Sequence, residues 1–452
     1  MKDKLVIKLI SPRMSLRPMD SELKRRMSPP LSLVTIASMT PKQHRVYIED
    51  ENVERLDLND LPDLVGITVN IDTAYRAFDI SKTYRSRGVK VVFGGIYASS
   101  CPQEVGAHCD AVCVGEAEEV WGDILEDCLQ DRLKPLYQAS EPTDLSLVPI
   151  ADWDFIRQKR KYLYYNVIVT SRGCPFRCEF CYNSCDYVSG KYRNRPVDDI
   201  VEEINRTGVK QIMFIDDNFI GNIPWVQRLL DKIGTLGLVW HAAVSTNILH
   251  HPQLIRQMAA CGCRSLFIGF ESLNDGSIRS VNKQQNKISE YEQLIELLHS
   301  HGIMVNASLV FGLDEDGPET FDQTLEWLVR NRVETMTGHI LTPYPGTVLY
   351  KKLQQEGRII CHDLRKYNTS HVVFLPKKLT PEQLRAGYLN MYKKFYSLRN
   401  IIRRRPLNKR IIASYFLFNF GYRKYGKWVS LVGRAGVMGA IGKLARLLSF
   451  GV

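Results

Sequence analysis

Three closely spaced cysteines are the residues of this sequence with the most distinctive chemistry. Cys174, Cys178 and Cys181 occur within eight positions of one another. Three thiolates on one loop can wrap a corner of an iron–sulfur cube, since soft sulfur ligands suit iron–sulfur chemistry. Because three ligands serve four irons, one iron stays open to a small chelating molecule. Cys185, four positions further on, is available as a fourth ligand.

A tetrahedral zinc site is the alternative for the same cysteines. Zinc loops favour two separated pairs of ligands, and no Cys or His pair with zinc spacing complements the triplet elsewhere in the sequence. Cys261 and Cys263 could chelate a metal, but a turn between a helix and a strand is expected there, and dispersed cysteines are usually buried thiols. The triplet therefore favours an iron–sulfur cluster over zinc.

The cysteines follow the first of six strand-like runs that alternate with polar helical stretches. Such a rhythm predicts a partial (β/α)6 barrel over residues 161–375, with its active site at the carboxyl ends of the strands. The six runs are Asn166–Thr170, Gln211–Ile215, Trp240–Val244, Ser265–Phe270, Met304–Phe311 and Thr337–Thr342. The cysteine loop is thus placed where catalytic groups belong on this scaffold.

Polar residues and a glycine occur at the ends of the next four strands. Taken alone, each is a weak signal, because Asp and Asn clusters are usually turns and helix caps. Their order after successive strands makes the set specific. The candidates are Asp216, Asp217, Asn218, Ser245, Glu271 and Gly312.

This combination resembles the radical S-adenosylmethionine (SAM) enzymes. Their signature, Cys-x3-Cys-x-aromatic-Cys, is met by Cys174, Cys178, Phe180 and Cys181. The resemblance implies a 4Fe–4S cluster whose open iron binds the amino and carboxylate groups of SAM. One-electron reduction, from a flavodoxin- or ferredoxin-type partner, would then yield methionine and a 5′-deoxyadenosyl radical. In this family, the residues matching 216–218 hold the methionine amino group, and the later strand ends contact the remainder of SAM.

The first 140 residues show a second α/β pattern. Short runs rich in Val, Ile and Leu predict the buried parallel strands of a doubly wound, flavodoxin- or Rossmann-like sheet. These runs are Leu5–Ile10, Arg45–Ile48, Leu64–Val69, Val89–Phe93 and Ala111–Val114. Ligands of such sheets bind outside the carboxyl ends of the strands. A connector at 141–160 leads to the barrel.

Loops after these strands resemble the cobalamin-binding domain of one large radical SAM subgroup. Gly94 and Gly95 would let the backbone approach a flat macrocycle, and Thr68 could hydrogen-bond the nucleotide tail. Many such domains present a histidine after the first strand, but the segment Ser11–Asp20 has none, which excludes histidine ligation of cobalt from it. The alternative is a degenerate domain that binds nothing. The candidate cobalamin contacts are Thr68, Gly94, Gly95, Tyr97, Gly115 and Glu116.

Segments 214–222, 339–347 and 371–374 resemble the branch that contains the hopanoid C-2 methylases. The resemblance implies a C-methyltransferase that acts on an unactivated carbon of a small or lipid-like metabolite. Methylcobalamin would donate the methyl group to the substrate, and a second SAM would then remethylate the cobalt. Three alternatives stay open: a cobalamin-assisted cyclase, oxidase or rearranging enzyme; a tRNA-modifying enzyme; and a non-catalytic sensor. His339 fits an active-site position and simple packing equally well.

Charge is concentrated in a helical extension at 376–452, which begins with a helix over Leu379–Tyr396 capped by Thr380. Fifteen of the 60 Lys and Arg residues, and none of the 49 Asp and Glu residues, occur between Gln383 and Val452, so the preceding residues carry a net charge of −4. Aromatics interleave with these cations, which suits peripheral contact with an anionic membrane at least as well as nucleic acid. The apolar stretch 411–422 is too short to span a bilayer.

The overall composition, 44% apolar and 24% charged, excludes a disordered chain and a small disulfide scaffold. No secretory signal is visible at the N-terminus, so the cysteines are expected to stay reduced. We therefore expect a cytoplasmic enzyme that contacts the inner membrane surface peripherally and does not bind nucleic acid.

Overall fold

The computed structural model describes residues 3–20, 22, 24–162, 167–408 and 411–424, together with positions 444 and 447. In these residues the strands form two six-stranded parallel sheets and one two-stranded antiparallel sheet, with helices packed around them. The α/β class predicted from the sequence is confirmed.

The first sheet has the order β2-β1-β3-β4-β5-β6 and every pair of neighbours is parallel. All five predicted strands are present, and β6 is an addition. The order of the strands in the sheet reverses at β1, with β2 on one side of it and β3 to β6 on the other, and this is the topology of a doubly wound fold. The elements are β1 Val6–Ser11, α1 Leu31–Met39, β2 Arg45–Asp50, β3 Leu64–Thr68, α2 Ala74–Arg85, β4 Lys90–Gly94, α3 Ile96–Ser100, α4 Pro102–Gly106, β5 Ala111–Val114, α5 Trp121–Leu129 and β6 Leu136–Gln138.

The second sheet follows chain order, β7-β10-β11-β12-β13-β14, with β7 and β14 at its edges. All six predicted strands are present, although Asn166 lies outside the described residues. Two unpredicted strands, β8 and β9, pair with each other. The elements are β7 Val167–Ile168, β8 Ser171–Arg172, β9 Arg193–Asn194, α6 Val197–Thr207, β10 Gln211–Phe214, α7 Ile223–Ile233, β11 Val239–Val244, α8 Pro252–Ala260, β12 Cys263–Glu271, α9 Asp275–Ser280, α10 Tyr291–Ser300, β13 Met304–Phe311, α11 Thr320–Arg330, β14 Thr335–Ile340 and α12 Val348–Gln355.

Helix ends in the second half follow local rules that can be read from the sequence. Asn222 precedes α7, and its side chain accepts a hydrogen bond of 3.2 Å from the Trp225 amide, while Pro224 occupies the first turn. Helix α6 begins with Asp198 and Asp199 and stops at Gly208, whose φ of +63° is the left-handed conformation that ends many helices. These helices bury one face each against the second sheet.

The predicted helix in the C-terminal extension is confirmed as α13 Pro381–Phe395, followed by α14 Leu398–Arg403 and α15 Ile412–Lys424. Thr380 forms a capping box with Gln383, as expected of its cap position. Buried Arg404 anchors the extension, because its guanidinium donates to the carbonyls of Val333 and Glu334 at 2.7 and 2.9 Å. In the described part of the chain, we find no helix of the length and apolarity required to cross a membrane.

Candidate functional site

The cysteine loop is closed at its base by the small sheet of β8 and β9. Ser171 pairs with Asn194 and Arg172 with Arg193, so the intervening segment projects from the carboxyl end of β7. Within the loop, the Cys181 amide donates to the Cys178 carbonyl at 3.0 Å, forming a tight turn. This turn places the second and third cysteines of the triplet on one short bend.

The electrostatic surroundings of the triplet suit ligands to a cationic centre. Burial raises the pKa of the Cys174 and Cys181 thiols to about 11, and the charge of Asp217 acts in the same direction. Since thiolate is the metal-ligating form, the positive charge of bound iron would offset this cost. No three Cys, His, Asp or Glu side chains of the described residues converge on a single-ion site; in a cube, by contrast, each cysteine ligates a separate iron. The donor set, three free thiols on one loop, fits a cluster.

A buried ion pair lies beside the loop. Lys283 Nζ is 2.8 Å from Glu271 Oε1 and 5.8 Å from the centre of the Phe180 ring. The Gln285 side-chain amide approaches Cys178 Sγ at 3.7 Å. Glu271 itself has a φ of +63° at the end of β12, a conformation that costs energy for a non-glycine residue. The end of β12, the Phe180 ring and the Lys283 ammonium group therefore lie next to the cysteines.

Asp216 and Asn218 connect neighbouring strand ends. One carboxylate oxygen of Asp216, Oδ1, accepts the amide of Thr170 at 2.8 Å and the amide and hydroxyl of Ser171. The other oxygen is buried and has no partner among the described residues. Burial raises the pKa of Asp216 to about 6. The Asn218 side chain accepts the Ser245 amide at 3.3 Å, which joins β10 to β11.

Gly312 ends β13 in a turn with a φ of +96°. Its amide donates at 2.8 Å to Asp316, which also accepts the Leu313 amide at 3.0 Å. A Cβ at position 312 would lie 2.6 Å from Leu384 on α13, so a larger residue has no room. The predicted strand-end residues therefore share one edge of the second sheet. Sequence analysis missed Lys283, Gln285 and Asp316, which occur in turns without a motif.

A cavity of about 710 Å³ opens at the carboxyl edge of the first sheet. One wall is formed by the ends of β1 to β5 and the other by the start of the second half of the chain, through Val169, Arg172 and Ile215. Most of the predicted cobalamin contacts line it, namely Thr68, Gly94, Gly95, Gly115 and Glu116. The two sheets therefore face each other across this space.

Gly95 shapes the cavity floor. Its φ is +100°, and a Cβ there would lie 2.9 Å from both Thr68 Oγ1 and the Val69 amide nitrogen. Only glycine permits this approach of the turn to β3. Tyr97, the next predicted contact, is fully buried in the hydrophobic core and is not among the residues that line the cavity.

Glu116 and Glu118 join the two halves of the chain. Arg193 Nη2 is 2.6 Å from Glu116, and Arg172 pairs with both glutamates. The arginines hold the pKa of Glu116 below its ordinary value despite its burial. The ionised carboxylate thus fastens the cavity wall to the base of the cysteine loop.

The segment between β1 and α1 covers another side of the cavity and reaches the far edge of the second sheet. Met14 lines the cavity, and Arg17 donates to the Gly338 carbonyl at 3.3 Å. His339 is 3.1 Å from Thr369 Oγ1. Burial and the charge of Arg17 lower the pKa of His339 to about 3, so the ring is neutral. The residue is half-buried and lies within β14, close to its carboxyl end, a position compatible with both packing and the active site.

Family models match two parts of the chain: the radical SAM superfamily over residues 168–328 and a domain of unknown function, DUF4070, over residues 347–412. Among curated proteins, the bacteriochlorophyllide d C-12(1)-methyltransferase of Chlorobaculum tepidum is 31% identical over 84% of this chain and 86% of its own length. The hopanoid C-2 methylase of Rhodopseudomonas palustris is 26% identical over 76% of this chain and 68% of its own length.

Solved structures with the same fold include two radical SAM proteins. TsrM of Kitasatospora setae, a methyltransferase, aligns with a TM-score of 0.68 at 16% identity, over 97% of this chain and 99% of its own. The cobalamin-dependent enzyme OxsB aligns with a TM-score of 0.70 at 16% identity, over 95% of this chain and 72% of its own. Together with the cysteine loop and the strand ends around it, the 31% identity over most of both sequences shows that the chain belongs to the radical SAM enzymes.

Proposed function

We propose that the chain is a cobalamin-dependent C-methyltransferase that acts on an unactivated carbon of a small or lipid-like metabolite. The observation that carries the proposal is the cavity at the strand ends of the first sheet, whose opposite wall includes Val169 and Ile215 at the ends of β7 and β10. In this arrangement a group held by the first sheet faces the second sheet, where the cysteine loop projects. Two of the relatives are named for methyl transfer to a bacteriochlorophyllide and to a hopanoid.

When bound, the cluster, SAM and cobalamin would supply a carbon-centred radical and a transferable methyl group. The chain's own residues hold and orient them. Cys174, Cys178 and Cys181 hold the cluster, and the Lys283–Glu271 pair places a fixed cation and anion beside it. The unpartnered Asp216 oxygen offers an acceptor for an ammonium group. The side chains of Asp216 and Glu271 are buried, which would help to exclude water from a reactive radical at these strand ends.

We assign four units to these tasks: a cobalamin-binding domain at 1–140, a connector at 141–160, a radical SAM core at 161–375 and a helical extension at 376–452. The connector passes the interface at which Glu116 meets Arg193 and the Thr143 carbonyl accepts from the same arginine at 2.6 Å. This contact supports a fixed relation between the first two units and the core.

Cobalamin in this site would lack a histidine ligand from the segment 11–20. That segment places Met14 at the cavity wall, and its charged residues Arg17 and Asp20 are paired with each other at 2.9 Å. Reconstituted protein should show a base-off cobalt spectrum without imidazole nitrogen coordination. Failure of the intact chain to bind cobalamin would favour the degenerate domain.

Methyl transfer itself is tested with SAM that carries a labelled methyl group. Cells with and without the gene are grown on methyl-labelled methionine, and lipid and tetrapyrrole extracts are compared by mass spectrometry. We expect a product that carries the intact labelled methyl group only when the gene is present. A gene-dependent product without the label would instead indicate a cyclase, oxidase or rearranging enzyme.

The basic tail is proposed to contact an anionic membrane, which would bring the enzyme close to a lipid-like substrate. Lys427, Arg434, Lys443 and Arg446, the last four cations of the sequence, lie outside the described residues. Each cation near such a surface contributes about 1 kcal/mol. Replacing all four with Gln in the full chain should reduce co-sedimentation with anionic liposomes. Equal sedimentation, or preference for tRNA at matched salt, would contradict the membrane proposal.

The electron for SAM cleavage is proposed to come from a flavodoxin- or ferredoxin-type protein. The cysteine loop lies near the surface, with Cys174 and Cys181 only partly buried, which suits electron entry from a docked partner. The measurement is the rate of 5′-deoxyadenosine formation with each class of reductant.

A further inference from the structure

Arg195 lies in the wall of the cavity and belongs to the half of the chain that carries the cysteines. It follows β9, and its amide donates to the Thr170 carbonyl at 2.9 Å, so its backbone is fixed to the end of β7. The side chain is 5% exposed. A guanidinium this deeply buried requires partners for all its N–H groups.

Only one of the three guanidinium nitrogens has partners. Nη1 lies 2.6 Å from Glu203 Oε2 and 3.1 Å from the Val169 carbonyl. Nε and Nη2 are buried and have no hydrogen-bond partner among the described residues. Each buried donor left in this state costs about 1–3 kcal/mol. Three N–H groups therefore have no acceptor among the described residues.

The other charged side chains that line the cavity are accounted for. Lys24 pairs with Asp20 at 2.8 Å and Arg25 with Glu22 at 2.7 Å, while Arg172 pairs with Glu116 and Glu118. Among the described residues lining the cavity, no other side chain has a buried nitrogen or oxygen without a partner. Among these lining residues, Arg195 is therefore the one whose buried N–H groups lack an acceptor.

We propose that Arg195 is a ligand-binding residue of the cavity, donating from Nε and Nη2 to a peripheral oxygen of the bound corrinoid. The inference rests on the proposed function, because the acceptor belongs to cobalamin. Cobalamin presents two kinds of such oxygen, the side-chain carboxamides of the corrin ring and the phosphate of the nucleotide tail. A planar donor fork with two adjacent nitrogens suits either. The corrinoid is thereby held by both halves of the chain, not by the first sheet alone.

The test measures corrinoid affinity of the full-length chain with its cluster reconstituted. Arg195→Met removes every donor, and Arg195→Lys keeps a cation for Glu203 while it removes the fork. We expect the Kd for hydroxocobalamin to rise at least tenfold in Arg195→Met and severalfold in Arg195→Lys. Arg206→Met, which removes an exposed arginine paired with Glu202 on α6, is the matched control and should leave the Kd unchanged.

Two further arms assign the acceptor and separate binding from structure. Cobinamide lacks the nucleotide tail, so a penalty that persists with cobinamide identifies a carboxamide, and a penalty that disappears identifies the phosphate. Glu203→Gln weakens the ion pair but keeps the donor fork, so it should lower the melting temperature more than the affinity. If Glu203→Gln reproduced the full loss of affinity, Arg195 would have a structural role only.

Wild-type affinity in both Arg195 variants would overturn the inference and leave the proposed function standing. A wild-type chain that binds no corrinoid would overturn both. The two failures are therefore distinguishable from the same set of titrations.

Discussion

The two parallel sheets present different residues at their carboxyl edges. The first sheet ends in glycines and small polar groups, such as Thr68, Gly94 and Gly95, around a wide cavity. The second ends in cysteines and buried carboxylates that accept backbone amides, from the end of the neighbouring strand at Asp216 and from its own turn at Asp316. One edge provides space and the other provides ligands and fixed charges.

The difference indicates two ways of holding a cofactor. A large, rigid group is accommodated by shape, which requires that side chains be absent. A small polar group and a cluster are held by directed bonds, which require that specific atoms be present. Substitutions at the first edge should therefore impair the protein when they add volume. Substitutions at the second edge should impair it when they remove a bonding atom.

The strongest test of the second edge is removal of the thiols. Replacing Cys174, Cys178 and Cys181 with Ala should abolish iron binding and SAM cleavage, since no other triplet of thiols replaces them in the sequence. Iron content and the visible absorption of anaerobically purified protein are the measurements. Cys361→Ala should keep both, and retention of a brown, iron-containing protein by the triple variant would contradict the assignment.

At the first edge, the addition of one methyl group should lower the free energy of unfolding. Gly95→Ala combines a φ of +100° with contacts of 2.9 Å to Thr68 and Val69, and we expect a loss of about 2–4 kcal/mol in unfolding free energy. Gly122→Ala, in α5 with no atom within 4 Å of the new Cβ, should be neutral or slightly stabilising. Urea denaturation measures both. Equal stability of the two variants would contradict a shape-determined edge.

The buried carboxylate at Asp316 should make stability depend on pH. Burial raises its pKa to about 6, above the unfolded value near 4, so between these values the folded chain keeps a proton that the unfolded chain loses. The contribution of Asp316 to stability is therefore fully present below about pH 4 and falls by about 3 kcal/mol as the pH rises to 6. Asp316→Asn can still accept from Gly312 and donate to Ser277, and it should lose this contribution, which makes its pH dependence shallower, while that of Asp216 remains.

Urea denaturation of the cluster-free chain at pH 4.5 and pH 7 measures the effect. Asp322→Asn, which removes an exposed carboxylate paired with Lys394, is the control and should retain the wild-type pH dependence. Identical pH profiles for wild type and Asp316→Asn would show that the carboxyl is ionised throughout.

The smallest effect concerns the contact between the two edges. Glu116 and Arg193 are half-buried and 2.6 Å apart, so a double-mutant cycle with Glu116→Gln and Arg193→Met should give a coupling of about 1 kcal/mol. The exposed pair Glu202–Arg206 on α6 should give less than about 0.5 kcal/mol. Coupling no larger than that of the exposed pair would mean that the two sheets are joined by other contacts.

The strands could be predicted and the candidate site residues proposed because both depend on local patterns. Runs of Val, Ile and Leu marked eleven of the parallel strands, and only the short β6, with two of its three residues exposed, gave no signal. Cys174, Cys178 and Cys181 were found through their spacing. Lys283 and Arg195 were not predicted because what distinguishes them, a partner distant in sequence or donors without partners among the described residues, has no sequence pattern. Tyr97 was predicted from a matching loop, but a loop pattern does not show that the side chain is buried in the core.

The shared wall of the cavity bears on how the protein is made. Among the described residues that line it, Glu118 and Ile215 belong to opposite walls, and Ile215 is the last in chain order. Domains generally fold as they emerge, at about 5–20 residues per second, so about 5–20 s separate the synthesis of these two residues. During that interval the first sheet can form with one wall of its cavity missing, which leaves apolar lining residues such as Ile67 and Val92 open to water. Cofactor acquisition is thus expected to follow translation of the first barrel strands, and premature release at this stage would leave an aggregation-prone fragment.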